Sequence, residues 1–316
     1  MATWHDSTEV QNPYSLAVQF NGLMESFSRS FRPKLVMQTV FATASEFALH
    51  PDWQIRCACY DSIVICGETF LPIAKQFLPR LPAILDKCSK DPHPRVRYCA
   101  SSIVGQLSLD FEETLTKAYA PVCLNLLVEL LKDPDVTARS QAALALINWC
   151  EVAHRKETDP FLPALIPLIL GLLQSGEAPC EIAGLKAVFS LANFMLADFQ
   201  QYYAAVDTHL KALWNSRTEP HQQAVRSECL TTISLVGMNA GKERFGADAL
   251  ALCKFLEATK IAKDDPLYKQ VPLIYCRLSY VLQEDFVAFL PAALASIFAE
   301  LEDETSCCKV VHDYTG

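Results

Sequence analysis

An all-α array of repeated helix pairs is the fold class predicted for this 316-residue chain. Three observations carry it. One local pattern returns five times at intervals of 41 to 46 residues. Inside each copy the apolar positions follow a helical period. Between the copies stand proline-opened apolar stretches, and nowhere does a sustained apolar/polar alternation argue for strands.

The repeat is anchored on Ile55-Arg56, in HPDWQIRCACYDSIV, and returns at Val96-Arg97, in DPHPRVRYCASSIVGQL. It recurs at Ala138-Arg139, in DPDVTARSQAALALINW, then at Cys180-Glu181 and Val225-Arg226, with a fainter copy around Val271. Four residues past the first five anchors stand Cys59, Ala100, Ala142, Gly184 and Cys229, all small. Eight past them stand Ile63, Val104, Leu146, Val188 and Ile233; eleven past them stand Cys66, Leu107, Trp149, Leu191 and Val236. These offsets lie on one face of an α-helix. The small position lets a second helix approach to the usual packing distance of about 8–10 Å.

That second helix is announced by Phe77-Leu-Pro79, Tyr119-Ala-Pro121, Phe161-Leu-Pro163 and Phe289-Leu-Pro291. Proline fits a first helical turn, where its missing N–H has no acceptor to lose. A polar turn follows each apolar helix, with Asp52, His93 or Asp135 placed to cap the next one. A period of about 40–47 residues with two helices defines the HEAT/armadillo class. The expected architecture is a HEAT-repeat α-solenoid, a superhelical array of antiparallel pairs. It covers residues 31–303 with about six pairs and one unpaired helix at 291–301, between an N-terminal segment, 1–30, and a tail, 304–316.

Composition narrows the function. There are 36 acidic and 27 basic residues, a net charge of −9 and a pI near 5.3. That balance opposes direct nucleic-acid binding, which needs a basic footprint, and suits a basic partner. The opening MATWHDSTEVQNPYS has no secretory character, so the 13 cysteines are expected as thiols in a reducing compartment. The apolar run FLPALIPLILGLL, at 161–173, is too short to span a bilayer, so no membrane insertion is expected.

At several places the sequence resembles the importin-β (karyopherin-β) family of nuclear transport receptors, and particularly its importin five (karyopherin beta three) branch. The stretches are DPHPRVRYCASSIVGQLSLDF, AALALINWCE, RSECLTTISLVGMNAGKERF, DDPLYKQVPLIYCRLSYVL and FVAFLPAALASIF. The likeness is collinear from about residue 50 to residue 300 and corresponds to middle repeats only. Family members are several times longer, which implies a fragment or an incomplete gene product. The resemblance implies a receptor for protein cargo with basic localisation signals, working with the Ran GTPase and with phenylalanine-glycine nucleoporins. It implies residence in cytoplasm and nucleus and at the nuclear pore. The other class compatible with the repeats is a HEAT scaffold that assembles a protein complex without a transport role.

Candidate residues fall into two sets. In HEAT families an acid in the turn and an arginine six residues later form a ladder between successive repeats; here the set is Arg56, Asp91, Arg97, Asp133 and Arg139. His50 and Ser175 replace the acid in the first and fourth copies. The second set is polar, ten or more residues past the anchors: Gln106, Asp110, Asn148, Glu151 and Asn193. Placed on the inner helix face, amides and acids there would hydrogen-bond an extended peptide and accept lysine ammonium groups. Trp149 lies nearby, but its offset assigns it to the core. Nucleoporin repeats are expected, by resemblance, between neighbouring outer helices, where Pro167 would kink one of them.

No metal site is expected. Cys57-x-Cys59 and Cys307-Cys308 lack zinc spacing, and Cys59 and Cys229 occupy the packing position. His5, His50, His93, His154, His209, His221 and His312 are scattered, and no P-loop or G-x-G-x-x-G occurs. The chain reads as a binding protein, with no enzymatic activity and no cofactor.

Overall fold

Each predicted turn ends in a capped helix. In the computed structural model, which describes residues 16–301, Asp52 accepts from the Gln54 amide, and Asp135 from the amides of Thr137 and Ala138. His93 accepts from the Arg95 amide through its ring nitrogen. The Cys307-Cys308 pair, His5, His312 and the tail 304–316 lie outside the described residues. Among the described residues there is no strand.

Leaving out single turns, the helices are α1 Leu16–Ser30, α2 Pro33–Phe47, α3 Trp53–Ile65, α4 Leu81–Ser89 and α5 Pro94–Leu130. They continue as α6 Val136–Val152, α7 Leu162–Leu172, α8 Ala178–Met195, α9 Tyr203–Ser216 and α10 Gln223–Ala240. The last are α11 Lys242–Ala258, α12 Val271–Leu282 and α13 Leu290–Leu301. The chain divides into two compact units, to Ser190 and from Leu191.

In the first unit α5 is two helices joined at a corner. Glu112 has φ 43° and ψ −126°, so the chain turns there into a first arm, 94–111, and a second, 113–130. A positive φ at a non-glycine residue is uncommon. Gln283, directly after α12 in the second unit, repeats the device with φ 53°. The corner corrects one sequence expectation: Tyr119-Ala-Pro121 opens no helix, because the second arm is already under way when it reaches Pro121. The other three proline phrases stand at helix starts beside 3₁₀ segments: Phe77-Leu-Pro79 overlaps the turn Leu78–Arg80 just before α4, and Asp159–Phe161 and Gln283–Phe289 lead into α7 and α13.

The stripe at offsets 4, 8 and 11 is buried in both units. Ala100, Ala142, Val104, Leu146, Leu107 and Trp149 have no exposed surface, and Cys229 and Val236 are within 2% of it. Offset zero is buried from Val96 onward, but Ile55 is 36% exposed. It shares an apolar recess with Phe20, Met24 and Phe27 of α1. The first arm of α5 and α6 approach closely at Gly105, where an added Cβ would stand 3.1 Å from the Ala145 Cα. In the second unit the buried Arg277 of α12 donates to the Thr231 carbonyl and the Ser234 hydroxyl of α10, each at 3.1 Å.

By length and composition the stretches Ala178–Gln201 and Tyr268–Ala299 are apolar enough to cross a membrane. The second is broken at Gln283 into α12 and α13. Within it Ile274, Tyr275, Leu278, Val281 and Leu282 are buried inside the second unit.

Candidate binding surface

Two arginine–aspartate rungs tie successive turns of the first unit together. Arg56 sends Nε and Nη2 to the two carboxylate oxygens of Asp91, both at 2.7 Å, and Nη1 to the carbonyls of His50 and Pro51 in its own turn. Arg97 repeats the arrangement one pair later. It reaches Asp133 at 2.6 and 2.8 Å, and its Nη1 holds the Asp91 and Pro92 carbonyls. Each acid also accepts from an amide of its own turn, His93 N for Asp91 and Asp135 N for Asp133. Fork-to-fork pairs of this kind are strong and directional.

Arg139 keeps only half of the pattern. It holds the Asp133 and Pro134 carbonyls, and the next turn offers Ser175 where the acid would stand. In the second unit Arg226 lies over the Trp214 ring, 4.2 Å from its centroid. The basic cluster around residue 95 is fully engaged. Arg95 bonds Asp61 on α3 at 3.1 Å, and His93 stacks flat on Trp53 at 4.0 Å.

Acid should loosen this turn in two steps. Burial, joined by the charges of Arg56 and Arg97, outweighs Asp91 and holds the His93 imidazole below its usual 6.5. Burial alone would raise the Asp91 carboxyl. Hydrogen bonds from Arg56 and the His93 amide, with the Arg56 charge, outweigh it and keep the group below 3.8. A folded-state pKa below the unfolded one gives stability that is complete above the unfolded value and lost as pH falls through the folded one. The urea midpoint is therefore expected to decline below pH 6.5 and again below 3.8. In Asp91→Asn the second decline should be smaller.

The polar set divides between the units. In the first, Gln106 donates to Asp110 at 2.9 Å along its own helix, and Asn148 reaches back to the Gly105 carbonyl at 3.4 Å. Both amides are half-buried, whereas Glu151 is exposed. Asn193, in the second unit, is exposed as well. Exposed Leu144 and half-buried Gln141, whose amide donates to Ser102, complete the open face of α6. Trp149 is fully buried and gives its indole N–H to Thr158 at 3.0 Å.

Asp110 is the electrostatically unusual member. Its carboxylate lies over Gly67, where an added Cβ would stand 2.3 Å from Oδ2, so glycine makes the room. Burial raises its pKa, the Gln106 hydrogen bond opposes the rise, and the charge of Glu68 adds to it. An acid in that state gains from a cation brought beside it. Glu68 was not singled out in the sequence, although it stands 42 residues before Asp110, as Glu151 stands 41 after. The repeat spacing was the available signal.

On the other side of the first unit, α4 and the second arm of α5 enclose a groove of about 590 Å³. Pro82, Leu85, Val122 and Leu126 give it an apolar floor, and Asp86, Lys90, Glu129 and Lys132 a charged rim. Pro167 lies within α7 without ending it.

No protein-family profile matches the chain. Among curated proteins it is 24% identical to importin subunit beta-3 of Saccharomyces cerevisiae, over 81% of this chain and 24% of that protein. It is 22% identical to the probable importin subunit beta-4 of Schizosaccharomyces pombe, over 95% of this chain and 28% of the relative. It is 28% identical to the probable importin-5 homolog of Dictyostelium discoideum over 44% of its length and 13% of the relative's. The chain thus spans about a quarter of the first two relatives. Its fold matches crystal structures of Kap121p bound to Pho4p and to RanGTP, with TM-scores of 0.78 and 0.74. Each match is at 22% identity and covers 89% of this chain and 27% of the other. The chain has a HEAT-repeat solenoid fold and is a homologue of importin-β family proteins.

Proposed function

We propose that this chain is a segment of a nuclear transport receptor that binds basic protein cargo on the helix face carrying Gln106, Asp110, Asn148 and Glu151. The homology with importin subunit beta-3 over 81% of the chain is the observation that carries the reading. Kap121p has been crystallised with Pho4p, Ste12p and the extreme C-terminus of Cdc14p, and separately with RanGTP and Nup53p. By analogy the partners of this chain are protein cargo, the Ran GTPase and nucleoporins, met in cytoplasm and nucleus and at the pore. The same homology supports a binding role without catalysis.

The acids supply the chemistry. Glu68, Asp110 and Glu151 recur at the spacing of the repeat, and Gln106 and Asn148 stand beside them with hydrogen-bonding capacity to spare. A lysine ammonium beside Asp110 would offset the desolvation of that carboxylate. Glu151→Lys turns an attraction into a repulsion of similar size, on the order of 1 kcal/mol in total for exposed charges. It should therefore weaken a lysine-rich peptide about fivefold at low salt. Unchanged affinity in a fluorescence anisotropy titration would remove Glu151 from the site.

The groove between α4 and the second arm of α5 suits a phenylalanine side chain in size and lining. Leu126→Asp should abolish retention on immobilised phenylalanine-glycine peptides while leaving the circular dichroism spectrum unchanged. A scaffold with no transport role would show no retention in the wild type.

A further inference from the structure

Cys57 on α3 and Cys99 on the first arm of α5 face each other between the first two helix pairs. Their sulfurs are 3.4 Å apart. Asp61, one helical turn after Cys57, sets Oδ2 3.2 Å from the Cys57 sulfur and Oδ1 3.3 Å from the Cys99 sulfur. The two sulfurs thus face the two oxygens of one carboxylate, and one ligand atom from each residue lies within 4.8 Å of the others. Tetrahedral zinc, with bonds of about 2.3 Å to sulfur and 2.0–2.2 Å to oxygen, spaces its ligand atoms by about 3.5–3.8 Å. The sulfur–sulfur distance, and the distance from each sulfur to its own carboxylate oxygen, fall short of that spacing by only a few tenths of an ångström.

The surroundings complete the case. Arg95 places Nη1 3.1 Å from the Cys99 sulfur and Nη2 3.1 Å from Asp61 Oδ2. Both sulfurs are buried, yet the Asp61 and Arg95 side chains are 28% and 25% exposed, so solvent reaches one corner. All three donors sit on helices, which hold them in place.

We infer that Cys57, Cys99 and Asp61 form a binding site for a soft divalent cation of the zinc type, with a fourth position open to solvent beside Arg95. On binding, the two thiols release their protons to water. Two thiolates and one carboxylate then carry three negative charges against the two positive charges of the ion, and the Arg95 guanidinium cancels the remainder. The bound ion braces α3 against α5, in the seam that the Arg56–Asp91 pair already spans. A motif search misses the site, because Cys57 and Cys99 stand 42 residues apart on successive repeats. The C-x-C is no guide either, since Cys59 turns away toward the Thr43 carbonyl of α2.

The full chain, reduced, stripped of metal and kept free of oxygen, is titrated with Co²⁺ as the probe. The expected result is one equivalent bound, with thiolate charge-transfer absorption in the near ultraviolet and the visible bands of a tetrahedral ion, both displaced by Zn²⁺. Cys57→Ser and Cys99→Ser should lose the bands, and Cys59→Ser should keep them. Asp61→Asn should weaken binding on the order of tenfold or more. Absence of the bands in the wild type, or their survival in Cys57→Ser, overturns the proposal. Should the serine variants unfold, X-ray absorption of the zinc-loaded wild type decides. Two sulfurs with oxygen completing the shell supports the site, and a shell of four sulfurs or of none overturns it.

Discussion

Asp133→Ala is expected to destabilise the first unit by about 3–5 kcal/mol, the usual cost of removing one partner from a buried, hydrogen-bonded ion pair. The Asp133 side chain is 4% exposed and that of Arg97 15%. Alanine at 133 would strand the Arg97 fork and leave the Asp135 amide without its acceptor. The carbonyls of Asp91 and Pro92 would still hold Nη1, which places the loss toward the lower end of that range. The double variant Arg97→Met, Asp133→Leu removes both charges while keeping volume, so it should recover most of the loss. Urea denaturation followed by circular dichroism measures both. A single variant within about 1 kcal/mol of wild type, the size of an exposed pair, would show that the rung contributes no more than a surface contact.

Trp149→Ala should cost a similar amount, about 3–5 kcal/mol, by a different route. It leaves a large cavity in a core that cannot collapse around it. Trp149 has no exposed surface, and its indole N–H is committed to Thr158. Thr158→Val removes that acceptor together with the hydroxyl's own bond to the His154 carbonyl at 3.3 Å, and should cost about 1–3 kcal/mol. Paired with Glu151→Lys, the variant also separates two roles on one helix. Glu151→Lys is expected to change peptide affinity and leave the denaturation midpoint alone. Trp149→Ala should move the midpoint, and any loss of binding should track the fraction unfolded. A selective loss of peptide affinity in folded Trp149→Ala would place the indole on the binding face instead.

The helical pairing was legible because packing repeats faithfully. Positions four, eight and eleven past each anchor face the same partner helix in every copy, and Ala100, Val104 and Leu107 are fully buried. Capping was legible for the same reason, through Asp52, His93 and Asp135. Ile55 escaped the rule because its neighbours are the rings of α1, whose stretch of sequence carries no copy of the repeat. The corner at Glu112, with its φ of 43°, escaped because glutamate is no turn signal. The binding face was half legible. Spacing located Asp110 and Glu151, but the desolvation of Asp110 depends on Gly67, 43 residues away. The facing sulfurs of Cys57 and Cys99 likewise exist only once two repeats lie side by side.

The half-made rung at Arg139 gives the array joints of unequal stiffness. The turns ending in Asp91 and Asp133 are each clamped to the one before by a two-pronged bond. The joint leading to Ser175 lacks that clamp and has weaker thiol bonds instead, with Cys180 3.7 Å from the Ser140 hydroxyl and donating to the Val136 carbonyl at 3.4 Å. Under load or on binding a partner, flexure within the first unit is expected to concentrate at this joint. The three preceding turns move as one lever, and the acids at 68, 110 and 151 ride on that lever at fixed spacing.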